Sequence, residues 1–205
     1  IVGARALFVI TFWKTKFAGE PLSEIFMVHH GGLVFYGGLI GASLATVGYL
    51  SYKKIPLWKF GDVFAPGVAL GYVPGRLGCV MNGCCYGRAT NQAWAIHFPA
   101  HHETHGVGVH PTQIYDSLLN LGLFFALVWL YRRKKFDGQV FATYLMGYAV
   151  TRSTVEFFRG DYTSYWGGWA TQAHLISLII FAVGLFLYWR LPRPLPAPNR
   201  APTTP

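Results

Sequence analysis

Charge is what this sequence has little of: Lys, Arg, Asp and Glu make up 12% of 205 residues, and only eight residues are acidic. A soluble domain carries about 25% charged residues, so a water-facing globular surface is excluded for most of the chain. Cysteine is scarce as well, at three, which is too few to staple a chain of this length and excludes a disulfide-built scaffold. What is present excludes disorder for the bulk: 53% of residues are hydrophobic and 17% aromatic, and the mean hydropathy is +0.34. A net charge of +9 would suit nucleic acid. The basic residues, however, are few and stand between apolar runs, so the expected partner is a lipid bilayer and no nucleic acid is expected.

Two stretches, between Glu24 and Lys53 and between Asp161 and Arg190, each hold 28 residues without a formal charge. Either exceeds the roughly 20 helical residues that cross a hydrocarbon core. Shorter candidates cover 60–75, 112–129 and 140–158. They are interrupted by polar residues or by Gly and Pro, which a helix tolerates where it faces protein or a polar cavity. Residues 1–13 are too short to span alone and read as the end of a helix that begins upstream. The predicted fold is therefore all-α and polytopic: five near-complete spans, a partial one at the start, and a small loop region over about 76–111. Residues 1–190 are expected to form one membrane-embedded domain, and the Pro-rich tail 191–205 to be disordered. Ten of the 17 basic residues fall in three places, at Lys53, Lys54 and Lys59, at Arg132, Arg133, Lys134 and Lys135, and at Arg190, Arg193 and Arg200. The positive-inside rule puts these, and the C-terminus, in the cytoplasm. The loop region 76–111 then lies outside it.

Ionisable residues inside apolar surroundings are costly unless paired or hydrated, which makes them site candidates. Arg76 follows Val73-Pro74-Gly75 at the end of one predicted span. Arg152 and Glu156 stand four apart on one helical face of another. A salt bridge joining helices is the plainer alternative. Glu156 can satisfy one arginine and not Arg76, Arg152 and Arg159 together, and a surplus of guanidinium groups suits an anion such as a phospholipid headgroup. Arg5 is a further candidate of open depth. Gly37, Gly38 and Gly41 suit close helix packing, which can coexist with function. Cys79, Cys84 and Cys85, with His97, His101, His102, His105 and His110, permit a zinc site. Their Cys-x4-Cys-Cys spacing differs from the compact Cys-x2-Cys pattern and the histidines are scattered, so no metal is expected, and a Cys/His metal-binding membrane protein stays an alternative. A disulfide from Cys79 to Cys84 or Cys85 is sterically possible if Gly83 allows a tight turn.

Four segments in one order carry a resemblance: Gly31-Gly32-Leu33-Val34-Phe35-Tyr36-Gly37-Gly38, the run Gly75-Arg76-Leu77-Gly78-Cys79 through Asn82-Gly83-Cys84-Cys85-Tyr86-Gly87, His110-Pro111-Thr112-Gln113-Ile114-Tyr115-Asp116, and Arg152-Ser153-Thr154-Val155-Glu156-Phe157-Phe158-Arg159. Over about 1–190 the chain resembles the prolipoprotein diacylglyceryl transferase family, without that family's first helix and part of the next. The resemblance implies a multi-pass transferase of the bacterial cytoplasmic (inner) membrane, acting in lipoprotein biosynthesis at the outer, periplasmic face. It moves the diacylglyceryl group of phosphatidylglycerol to the lipobox cysteine thiol of a prolipoprotein signal peptide, releases glycerol phosphate and uses no cofactor. It implies phosphate-contacting, essential roles for Arg76 and Arg152 and binding roles for Asn82, Glu156 and Arg159. Gln113 and Tyr115 are expected to line the cavity, with His110 orienting the turn before a helix that starts at Pro111 or binding the headgroup region.

Two departures stand out. The family commonly has a histidine, often assigned as the base, where this chain has Tyr36. A phenol with an ordinary pKa of about 10 is a poor base at neutral pH, so Tyr36 is expected to orient phosphate or thiol by hydrogen bonding, or to be an interfacial aromatic. Cys79 and Cys84 stand where asparagine and glutamate are usual, which removes a partner for Arg76. His30 could reach an interfacial site only if its helix unwinds. Another lipid-headgroup-processing enzyme, or a lipid transporter reusing the cavity, is the alternative function.

Overall fold

The computed structural model describes residues 1–18, 21–28, 31–160 and 171–191, in two compact units, Ile1–Leu57 and Trp58–Pro205. His30 and the Pro-rich tail beyond Leu191 lie outside the described residues.

In the first unit, α1 (Val2–Phe12) leads through a π-helical turn (Trp13–Phe17) and a 3-10 turn (Leu22–Phe26) to α2 (Phe35–Tyr52). Glycine decides how α1 meets α2. A Cβ on Gly37 would lie 2.3 Å from the Gly3 carbonyl oxygen, and one on Gly3 would lie 2.4 Å from that of Gly37, so the two backbones touch where only hydrogen fits. Gly38 is looser, with its nearest contact at 3.5 Å. Gly37 is thus a packing residue, the plainer of its two sequence readings. Arg5, buried on α1, donates to the backbone carbonyls of Glu24, Ile25, Gly31 and Gly32. Its guanidinium organises the connection before α2 within this unit.

The second unit is built on α3 (Leu57–Asn82), α4 (Thr112–Tyr131), α5 (Gln139–Glu156) and α6 (Gln172–Arg190). α3 has 26 residues and contains Pro66 and Pro74, so it outruns the predicted span 60–75 and puts Arg76 inside the helix. A proline deletes one backbone hydrogen bond and bends a helix, but neighbours packed alongside let the helix continue. Here Ala65 and Ala69 form a closed core with Leu127 of α4 and Val140 of α5, flanked by Leu123, Phe124 and Phe141. At the far end of this core the Asp62 carboxylate accepts hydrogen bonds from Lys134 Nζ and from the backbone N–H groups of Gly138, Val140 and Phe141, at 2.9 to 3.0 Å. It supplies the cap that the start of α5 needs.

Among the described residues, three helices are long and apolar enough to cross a membrane: α3, α4 and α6. This is a multi-helix, all-α membrane protein. The other two long helices, of 18 residues each, are less apolar than the sequence reading implied. α2 contains Gly37, Gly38, Gly41 and Gly48 with Tyr36, Tyr49 and Tyr52, and α5 contains Arg152 and Glu156. The connection between α3 and α4 is ordered by a small antiparallel ladder, Ile96–His97 against Gly108–Val109. Isolated bridges join Ala89 to Val109 and Gly87 to Arg159. The last of these ties the loop to the end of α5.

Candidate active site

α4 opens with an unusual stripe. Gln113, Asp116, Ser117 and Asn120 recur at intervals of three and four, so they share one helical face, and each is nearly inaccessible to solvent. That face is directed at α3 and its own preceding loop. Ser117 Oγ donates to the Val73 carbonyl at 3.3 Å, Asn120 Nδ2 to Asp116 Oδ1 at 3.1 Å, and Tyr72 Oη to Asp116 Oδ2 at 3.3 Å. Arg76 Nε lies 2.8 Å from Asp116 Oδ2. Its guanidinium also donates to the Tyr72 hydroxyl and sits over the Tyr72 ring.

Asp116 therefore gives Arg76 an acidic partner in place of the one missing at Cys84. The acid comes from the next helix in sequence, one turn into α4. The pattern that points to it is the polar stripe 113, 116/117, 120 in an otherwise apolar helix. Arg152 Nη1 lies 2.8 Å from Glu156 Oε2, with Arg159 Nε at 4.0 Å from the same oxygen. Glu156 also accepts from the Thr171 hydroxyl at 2.7 Å, where Thr171 caps α6. Arg76, Arg152 and Arg159 all act electrostatically on Asp116, which puts the three cations in one neighbourhood with Asp116.

This cluster is incompletely hydrogen-bonded. The close contacts of Arg76 Nε and Arg152 Nη1 are ion pairs whose angles fall outside hydrogen-bond geometry. Both atoms, with Glu156 Oε2 and Gln113 Oε1, are buried without a hydrogen-bond partner among the described residues. The Arg76 and Arg152 side chains keep 15% exposure while Asp116 and Glu156 keep 3% and 1%. The acids are sealed; the guanidinium groups still reach open space.

His110 and Tyr115 contact one another, Nδ1 to Oη at 3.2 Å, and Trp94 Nε1 donates to Tyr115 Oη at 2.7 Å. They line a groove of about 550 Å³ with Leu118, Leu119 and Phe158, its wall almost wholly apolar. Gln113 instead faces the turn after α3, donating to the Cys84 carbonyl at 2.7 Å. Asn82 is exposed at the end of α3, and its side chain bonds Cys84. That bond holds the Cys84 thiol below the ordinary cysteine range, against a smaller opposing effect of burial. The Sγ atoms of Cys79, Cys84 and Cys85 lie within 4.8 Å of one another, with all three thiols free rather than joined in the disulfide that a turn at Gly83 made possible. The five loop histidines join no such cluster among the described residues. Tyr36 belongs to the first turn of α2 in the other unit and is 65% exposed.

A bundle of apolar helices with guanidinium groups gathered near helix ends, next to an apolar groove, defines a membrane protein equipped to hold an amphiphilic anion. The family profile described as prolipoprotein diacylglyceryl transferase matches residues 1–190, and the chain belongs to that family. It is similar to the phosphatidylglycerol–prolipoprotein diacylglyceryl transferase of Finegoldia magna, with 38% identity over 188 residues covering 91% of this chain and 72% of the relative. It is also similar to the enzyme named phosphatidylglycerol–prolipoprotein diacylglyceryl transferase 2 of Clostridium perfringens, at 35% with 92% and 73% covered. The Bordetella bronchiseptica enzyme is 34% identical, with 94% and 74% covered.

Proposed function

We propose that this chain transfers the diacylglyceryl group of phosphatidylglycerol to the cysteine thiol of a prolipoprotein in the bacterial cytoplasmic membrane, releasing glycerol phosphate. The observation that carries the reading is the gathering of Arg76, Arg152 and Arg159 around Asp116, with Arg76 Nε and Arg152 Nη1 making no hydrogen bond among the described residues. The reaction is substitution at carbon: the acceptor sulfur attacks the diacylglycerol carbon bonded to phosphate, and the phosphate leaves with the distal glycerol. Arg76 and Arg152 hold the phosphate and take up the charge that grows on it as the carbon–oxygen bond breaks, a stabilisation matched to the transition state. Glu156 and Asp116 position the two arginines, and Arg159 adds to the field. Asn82 and Gln113 shape the turn after α3, and the groove beside His110 and Tyr115 suits an acyl chain or the apolar part of a signal peptide. Tyr36, with Gly37 and Gly38 beside it, orients a substrate by hydrogen bonding.

In this reading residues 1–190 act as one membrane-embedded domain of five spans and a partial first one. α5 crosses despite Arg152 and Glu156 because those charges face the site, and α2, with no formal charge, crosses despite its glycines. The clusters of Lys and Arg after α2, after α4 and after α6 lie in the cytoplasm with the C-terminus, and the arginine cluster faces outward. The test is transfer from labelled phosphatidylglycerol to a lipobox peptide in reconstituted membranes. Arg76→Ala and Arg152→Ala are each expected to lower the rate about 10²-fold, or roughly 3 kcal/mol of transition-state stabilisation, with the protein still folded. Full activity in folded Arg152→Ala protein would remove the phosphate clamp.

A further inference from the structure

Cys79, Cys84 and Cys85 take no part in the steps above, yet they are the densest set of metal-ligating side chains among the described residues. All three thiols are free and half-buried, with Sγ atoms within 4.8 Å of one another. Zinc held by thiolates at about 2.3 Å would set its sulfurs about 3.8 Å apart, so a contraction of about 1 Å gathers them on one ion. The backbone already makes the approach. Cys79 is on α3, and positive φ angles at Gly83 (70°) and Cys85 (64°) fold the chain back over the helix end.

That turn is held from behind. Gln113 Nε2 donates to the Cys84 carbonyl and Thr112 Oγ1 to the Cys85 carbonyl, both at 2.7 Å. His102 Nε2 lies 2.7 Å from the Gly83 carbonyl oxygen, which can only accept, so this nitrogen carries the ring proton, while Nδ1 receives the Thr104 N–H at 3.2 Å. Both ring nitrogens are engaged, and His102 orients the thiol turn as an outer partner would. Among the described residues no fourth His, Cys, Asp or Glu atom joins the three sulfurs. Three protein ligands and an open fourth position is the arrangement of zinc sites that do chemistry rather than only hold a fold.

We propose that Cys79, Cys84 and Cys85 bind one zinc ion as thiolates and that its fourth position takes the acceptor cysteine thiol. The second half rests on the transferase reading. On binding zinc the acceptor thiol gives its proton to solvent. Its sulfur lone pair forms the new bond to the diacylglycerol carbon as the carbon–oxygen bond breaks. The departing electron pair stays on the phosphate oxygen, and glycerol phosphate leaves with one more negative charge. Arg76, three residues before Cys79 on α3 and within electrostatic reach of Cys85, is placed to receive that charge. The product thioether is neutral and a weaker ligand, so it leaves the zinc, which is neither oxidised nor reduced. The site supplies the thiolate that a phenol at position 36 does not.

The test uses the full chain in nanodiscs containing phosphatidylglycerol. Elemental analysis is expected to find one zinc per chain, lost in Cys79→Ser and Cys85→Ser proteins. Cobalt in place of zinc is expected to show thiolate charge-transfer absorption that changes when a cysteine-containing lipobox peptide is added and not with its serine analogue. Chelation of the unaltered chain is expected to abolish transfer and zinc to restore it, which covers the case in which the serine variants fail to fold. Three reactive thiols without metal, or an intact mass lower by two hydrogens from a disulfide, would overturn the site. A cobalt spectrum indifferent to the peptide, or undiminished transfer by metal-free chain, would overturn the role of the fourth position. Metal and peptide binding without transfer from any phospholipid would leave the site standing and remove the transferase reading alone.

Discussion

Asp62 and Arg76 stand on one helix, about 21 Å apart along its axis at 1.5 Å per residue, and each meets an opposite charge from a neighbouring element. Around Asp62 every requirement is met. The carboxylate has 0% exposure, and it accepts from Lys134 and from three backbone N–H groups at the start of α5. Burial acts to lower the pKa of the Lys134 ammonium, and hydrogen bonds to Asp137 and Asp62 outweigh it, so the pKa lies above the ordinary lysine range. Around Arg76 the ion pair is as short, at 2.8 Å, but Arg76 Nε and Arg152 Nη1 make no hydrogen bond among the described residues. A buried charge that is fully paired and bonded holds elements together; one that is paired and still short of partners can hold a ligand. The two clusters differ in how far their hydrogen bonds are satisfied.

That contrast breaks first at Asp62. Asp62→Ala is expected to lower stability by about 3–5 kcal/mol, because three buried N–H groups lose their acceptor and the Lys134 ammonium keeps Asp137 alone. Thermal unfolding in detergent checks it, and adding Lys134→Met is expected to recover part of the loss while surviving protein keeps its transfer rate. An unfolding temperature that does not move would show the cap to be dispensable. At the other cluster the effect should fall on rate. Arg76→Lys keeps the charge but loses the planar fork shared between Asp116 and the Tyr72 hydroxyl, and transfer is expected to drop about tenfold, the scale of one charge-assisted hydrogen bond, with unfolding unchanged. Smaller still is Tyr36→Phe, where loss of one neutral hydrogen bond is expected to slow transfer about fivefold. An unchanged rate would make Tyr36 an interfacial aromatic.

The depth of Arg76, Arg152 and Glu156 was legible because charge in an apolar run is rare and expensive, and that rule needs no coordinates. The family motifs were legible for the same reason: several unusual residues stand in one order. Asp116 was quoted within a motif without a role, since its partner lies 40 positions earlier in the chain and only the meeting of α3 with α4 joins them. Asp62 carried no signal, as nothing in a lone acid near a helix start announces that another helix will begin against it. The end of α3 was placed too early, at Gly75 after Pro74, whereas the helix runs on to Asn82 with Tyr72 and Arg76 tied to Asp116 of α4.

By itself the sequence determined that this is a helical membrane protein of the prolipoprotein diacylglyceryl transferase family with arginines where lipid should be, because hydropathy and buried charge are properties of local composition. Only the tertiary structure decided which acid meets which arginine, which glycine is needed for contact, and that three cysteines separated along the chain converge. Those outcomes depend on distances between elements, and they are set when the chain packs.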